Sequence, residues 1–253
     1  MMRKISGRLR KEELNEIFRE HQKWLENGGR QGNRAELEGA DLSNYSLQQI
    51  NLDRANLQWA NLRGVNLRTA NLKGADLRHA DLFMANLQWA NFLEADLREA
   101  NLKQANLHFA NLSKADLANA NFEKAFLHNA YFSGACLQGA NLTGANLRFT
   151  EFDLADLRQA VLRGAALPET KMISCNLCEA NLSEAEIVRS DFEMANLKSA
   201  TIRHARILMS RFCSADLRGA DLSGSRIERS DFRNAMMQQA KVDDAHILEC
   251  TNF

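Results

Sequence analysis

His108 and His128 stand twenty residues apart. Two imidazoles at a repeat interval can share a divalent cation if the chain returns to the same place between them. Asp76, Asp96, Asp116 and Asp156, continued by Asp216, keep the same interval, and Arg78, Arg98, Arg158 and Arg218 follow them two residues later. An unpaired file of carboxylates would imitate a nucleic-acid backbone, whereas a neutralised one is a ladder of surface ion pairs. Five cysteines complete the reactive set. What these groups can do depends on which of them the fold brings together.

The element that must position them is a five-residue repeat, Ala-(Asp/Asn)-Leu-X-X, that runs from Ala35 to Cys250 without a slip. Every fifth residue from Leu37 to Ile247 is apolar, and the residue two before it is nearly always small. A period of five fits neither a helix face, which recurs at about 3.6 residues, nor a strand face, which recurs at about 2. It fits short extended segments joined by tight turns, with the central and the small residue inward and the other three outward. Phe92, Phe132, Phe152, Phe192, Phe212 and Phe232 are separated by multiples of twenty, with Phe122 outside their column. That spacing predicts a coil of twenty residues, four pentapeptides round a four-sided tube, with one wall carrying a structural Phe column. At about 4.8 Å per coil, about eleven coils make a rod near 50 Å long.

The run from Ala55 to Ala80, AnLqwAnLrgvnLrtAnLkgAdLrhA, resembles the pentapeptide-repeat family, and the resemblance extends over about 85% of the chain. It implies an all-β fold, a right-handed quadrilateral parallel β-helix, in a mostly bacterial family. A few members protect type II topoisomerases from quinolones by resembling DNA, and a large majority have no assigned activity. The motif is specific for fold and nearly silent on function.

With 253 residues, 45% hydrophobic, and 32 basic against 32 acidic side chains, the chain reads as one domain with an ample core and no global field for nucleic acid. No apolar run approaches membrane length and no signal-peptide pattern opens the chain, so a cytoplasmic location is expected. The cysteines are expected to be reduced: Cys175 and Cys250 occupy the small inward position, and Cys136 and Cys178 share a wall two coils apart, about 10 Å.

Residues 1–10, with Arg3, Lys4, Arg8 and Arg10, read as a disordered basic tail. Residues 11–29 change period: Leu14, Ile17, Phe18, His21, Trp24 and Leu25 recur at helical spacing before Gly28-Gly29, an amphipathic N-terminal α-helical cap for residues 30–253. The Asp file is expected to be neutralised by Arg on the neighbouring coil, and stacked amides at Asn51, Asn71, Asn91, Asn111 and at Asn66, Asn86, Asn106, Asn146 are expected to bond along their columns. From Val161 to Ser174 the repeat degrades, and with Pro168 it suggests a kink or weak wall.

The wall centred on Leu47, Leu67, Leu87, Leu107, Leu127 and Leu147 carries outward Trp89, Phe109 and Phe149 beside His108, His128 and Arg148, the candidate partner surface. No Cys, Asp or Glu adjoins the histidines to complete a metal site, so neither metal nor cofactor is expected. Arg189, Arg206, Arg211, Arg226 and Arg229 form a candidate basic edge for an acidic partner. Val242, Ile247 and Phe253 at the open last coil are a candidate homodimer end. With no phosphate loop, nucleophile elbow or pocket, the chain is expected not to be an enzyme. The sequence therefore points to a rigid protein-interaction scaffold with an unidentified protein partner, no membrane and no direct nucleic acid. Its rival is a DNA-mimicking modulator of DNA gyrase or topoisomerase IV.

Overall fold

The computed structural model describes residues 7–253, so Arg3 and Lys4 of the expected tail lie outside the described residues. The repeat folds as a parallel β-helix. Its bridges join the residue before each central one to that twenty farther on, as in Glu36 to Asn56, Asp41 to Asn61, Ser46 to Asn66 and Asn51 to Asn71, and the four columns continue to Met236, Lys241, His246 and Thr251. Each pentapeptide is held in the same way. Asn56 N–H donates back to Ala35 O at 2.9 Å, and Leu57 N–H donates forward to Asp76 O at 2.7 Å. A turn then closes with Ala60 N–H on Leu57 O at 3.1 Å. Its third residue is left-handed, with φ of 57° at Trp59, the pattern of a type II turn.

That geometry explains the residue before each central Leu. The N–H just after the Leu has no backbone partner in the ladder, and the Asn or Asp side chain accepts it: Ser43 N–H donates to Asp41 Oδ1 at 3.0 Å, Lys73 N–H to Asn71 Oδ1 at 3.2 Å. At Ala166 no side chain is present to accept, and the residue whose N–H would need it is Pro168, which has none. The expected kink between Val161 and Ser174 is therefore absent. Bridges run unbroken through Val161, Ala166 and Lys171, and Thr170 donates its buried hydroxyl to Leu147 O at 2.8 Å.

Inside, the small residue and the central residue of nearly every pentapeptide before the last coil are buried, and the six aligned Phe rings are fully so. Phe132 stacks on Phe152 at 4.7 Å, and Phe192, Phe212 and Phe232 stack at 4.8 and 4.9 Å. Phe122 meets Phe132 edge-on at 5.9 Å.

Before the coils, β1 (Gly7–Arg8) pairs parallel with β2 (Ala40–Asp41). Residues 7–10 thus differ from the expected disordered tail: Arg8 lies over the Tyr45 ring at 5.3 Å, Tyr45 donates to Leu9 O at 2.7 Å, and Glu13 accepts from the Arg10 N–H at 2.9 Å. The exposed N–H edge of the first coil attracts a strand that its basic composition alone does not advertise. Helix α1 (Lys11–Glu26) follows, shorter than residues 11–29 because the chain turns at Gly28 and Gly29, both at positive φ. It buries Leu14 and His21, with Ile17 and Phe18 against the core. His21 Nδ1 accepts Ala35 N–H at 3.1 Å, so the proton sits on Nε2, and burial lowers its pKa. Gly32 has no room for a side chain, since a Cβ there would lie 2.3 Å from Glu20 O.

Later coils change one corner. Strands β3 (Glu186–Val188), β4 (Arg206–Leu208), β5 (Arg226–Glu228) and β6 (His246–Leu248) form one parallel sheet, each centred on Ile. Here Ser190 N–H donates to Ser210 Oγ, and Ser210 N–H to Ser230 Oγ, both at 3.1 Å. The buried hydroxyl column replaces the turn's backbone bond, while β-branched Ile suits the extended backbone.

Candidate interaction face

The turn position two after each central residue projects outward in the left-handed region, where glycine is the least strained choice. Trp89, Phe109 and Phe149 hold it on one wall, with φ of 61°, 60° and 58°. Because successive coils stack, these side chains meet. Trp89 and Phe109 are parallel at 4.0 Å, Phe109 meets His128 edge-to-face at 6.2 Å, His128 meets Phe149 at 5.3 Å, and the Arg148 guanidinium covers Phe149 at 4.8 Å. The structure brings all six candidate surface residues into one ladder and adds one that sequence reading missed. Phe126 stands in a position elsewhere given to Asn, is half exposed, and meets His108 edge-on at 6.4 Å. Its signal was a broken repeat, an aromatic where an amide belongs.

His108 and His128 have ring centroids 5.6 Å apart. Burial first, and then the neighbouring His128, lower the His108 pKa, which favours the neutral ring. Among the described residues no group of three or more His, Cys, Asp or Glu is placed to hold a metal.

This wall has a charge pattern unlike the other three. Its outward positions from Ser46 to Phe149 carry no Asp, Glu or Lys, only amides, small residues, aromatics, His108, His128, Arg68 and Arg148. Arg68 has no carboxylate partner among the described residues, and Arg148 has only Glu169, at 3.8 Å. The first acidic residue of the wall is that Glu169.

The Asp file is the opposite. Arg78, Arg98, Arg158 and Arg218 each grip the Asp two residues earlier with two guanidinium nitrogens at 2.6 to 2.9 Å. The expected cross-coil pairing is the lesser part, with Arg78 to Asp96 at 3.5 Å and Arg98 to Asp116 at 3.4 Å. A two-residue step keeps both side chains on one face and lets the Asp accept the Arg's own N–H as well. On the same wall Trp59 stacks on His79 at 3.9 Å, and His79 reaches Glu99 at 3.2 Å.

Asn71, Asn91 and Asn111 bond along their column at 2.9 to 3.5 Å. Asn66, Asn86, Asn106 and Asn146 accept from the N–H two residues on but, among the described residues, do not bond one another as expected.

Four of the five Arg of the candidate basic edge are paired, Arg206 with Glu186 at 3.0 Å, Arg211 with Asp191 at 2.8 Å, Arg226 with Glu228, and Arg229 with Glu249 at 2.7 Å, while Arg189 has no carboxylate partner among the described residues. Val242, Ile247 and Phe253 are exposed in the last coil, where Phe253 leans edge-on against Phe232 at 4.8 Å. All five cysteines are free. The surface depressions are shallow; one of about 550 Å³ lies beside Lys198, Arg218 and Met236. No helix among the described residues is long and apolar enough to cross a membrane.

A family model for Pentapeptide repeats (8 copies) matches overlapping stretches from residues 33–68 through 210–246. No curated protein matches in sequence. Among solved structures, the chain is similar to HetL, a pentapeptide repeat protein involved in heterocyst differentiation regulation from the cyanobacterium Nostoc. They share 28% identity over 88% of this chain and 94% of that one, with a TM-score of 0.39. It is also similar to a trypsin-treated variant of QnrB1, a plasmid-mediated fluoroquinolone resistance protein, at 19% identity over 79% and 90% of the two chains and a TM-score of 0.37. A third is a pentapeptide repeat protein from the Arabidopsis thaliana thylakoid lumen, at 32% identity over 45% and 69%, with a TM-score of 0.22.

Proposed function

We propose a function from one premise: this chain belongs to the pentapeptide-repeat family. It works as a non-enzymatic, rigid interaction scaffold in the cytoplasm, a right-handed quadrilateral rod of about eleven coils that meets a protein partner through the wall of Trp89, Phe109, Phe126 and Phe149. One observation carries the reading: these rings form a ladder through His128 on the acid-free stretch of the wall, with Trp89 and Phe126 half exposed and Phe109 and Phe149 partly so, where an isolated apolar side chain would need no explanation. Aromatic and Arg side chains clustered on a flat, rigid face are what contact surfaces concentrate.

The gyrase-modulator reading has less support. It needs unpaired carboxylates, and Asp76, Asp96, Asp156 and Asp216 each carry a two-nitrogen Arg clamp. The test is capture from an extract of the protein's own cells on immobilised wild type, on Trp89→Ala/Phe109→Ala/Phe149→Ala, and on Arg78→Ala/Arg98→Ala. A protein retained by the first and third but not the second supports the reading. Equal retention by all three rejects it.

A further inference from the structure

We infer that the occupant of the aromatic wall is an extended acidic segment of a partner protein, lying along the rod axis from Arg148 toward Arg68. The inference rests on the scaffold reading and adds the chemistry of what binds.

Three features select that chemistry. First, charge: across the six coils from Ser46 to Phe149 this wall has no acidic outward residue, while each of the other walls has several in the same coils, among them Asp76 and Asp96, Asp41 and Asp81, Asp53 and Glu94. Most other Arg side chains are paired with a carboxylate, Arg8, Arg30 and Arg189 being exceptions among the described residues, whereas on this stretch of the wall Arg68 has no carboxylate partner among the described residues and Arg148 is left with a 3.8 Å contact. The two cations therefore have hydrogen-bonding capacity still to be met.

Second, ring orientation. Trp89 and Phe109 turn their faces to each other, the rings of Phe109, His128 and Phe149 meet at right angles, and Arg148 covers Phe149. Much of the ring-face area is taken up inside the ladder. The ring edges carry the positive part of the aromatic quadrupole and attract oxygen acceptors. A platform for stacking nucleic-acid bases would leave the faces free. Edges flanked by Arg, His and amide N–H groups suit carboxylates and peptide carbonyls.

Third, shape. The wall is flat and the ladder runs across the coils, so from Arg68 to Arg148 is four coil steps, about 19 Å at about 4.8 Å each. An extended peptide covers that in about six residues. Its carboxylates would reach Arg68 and Arg148 at the two ends and the histidines between them.

The test is fluorescence anisotropy with a labelled peptide of about twelve residues alternating Glu and Gly. A Lys-Gly peptide of the same length and an oligothymidine single strand serve as comparison probes. The Glu-Gly peptide is expected to bind, the Lys-Gly peptide not, and binding to weaken about tenfold between low and physiological salt. Arg68→Glu/Arg148→Glu is expected to weaken it about tenfold or more, while Lys124→Glu on the adjoining wall changes it less than about twofold. Far-UV circular dichroism shows that each variant is folded. Equal binding of both peptides, or no effect of the double reversal, overturns the inference. Tighter, Arg68- and Arg148-dependent binding of the oligothymidine overturns it in favour of nucleic acid. A captured partner that crosses the aromatic wall with no Glu-Gly binding would leave the scaffold standing and remove this inference alone.

Discussion

Asn71 performs three tasks with one amide: its oxygen accepts the Lys73 N–H and the Asn91 side chain, both at 3.2 Å, and its nitrogen donates to Asn51 at 2.9 Å. Asn71→Ala is expected to cost about 1–2 kcal/mol in urea denaturation, and Asn71→Asp, which keeps the turn acceptor and loses the ladder donor, less. The Asp-Arg clamps make a pH prediction. Hydrogen bonding from Arg158, Arg218 and Arg233 lowers the pKa values of Asp156, Asp216 and Asp231, the last to about 2. A folded pKa below the unfolded one stabilises above the unfolded value and is lost as pH falls through the folded one, so stability should drop between about pH 4 and pH 2. Arg158→Ala/Arg218→Ala/Arg233→Ala should flatten that drop in denaturation curves taken across the range; an unchanged slope would mean that the clamps are too solvated to matter. At this scale the sequence displayed the preference for Asn or Asp but hid its cause. The N–H it serves is identified only once the turn geometry leaves that donor without a backbone partner.

The corner that passes from Thr150 and Thr170 to Ser190, Ser210 and Ser230 shows how an element rewires itself without losing register. Ser210 Oγ accepts the buried Ser190 N–H at 3.1 Å and stands 3.2 Å from Ile187 O. Ser210→Ala should therefore cost about 1–3 kcal/mol by stranding that N–H, although the same corner in an earlier coil is filled by Ala110. Thermal or urea melting of the two proteins checks it, and a neutral result would return the serines to mere drift from Ala. The period of five, the twenty-residue coil and the Phe column were legible because each is a repeated apolar position, which pattern alone resolves. The smooth path through Pro168 was not, since it depends on a missing donor meeting a missing acceptor. Nor was β1, because two residues of strand carry no period.

Over the whole molecule, equal numbers of acidic and basic side chains are distributed unevenly: both signs occur on three walls, while half of the fourth is acid-free. The aromatic wall was legible in Trp89, Phe109 and Phe149, but the mutual stacking that makes it one surface, and the part of Phe126 in it, required the coil geometry. A gyrase supercoiling assay titrated to low micromolar protein, with and without a fluoroquinolone, should show no change, since four of the five carboxylates of the Asp file are clamped by their own Arg; inhibition or protection would show the Asp file to be available after all. The most direct test of the central claim places a photo-crosslinking amino acid at Asn129, within the aromatic wall, or at Ala118, on the Asp-Arg wall, and irradiates cells expressing either protein. The account predicts a discrete crosslinked partner from position 129 and none from 118. A partner crosslinked from 118 alone would contradict it.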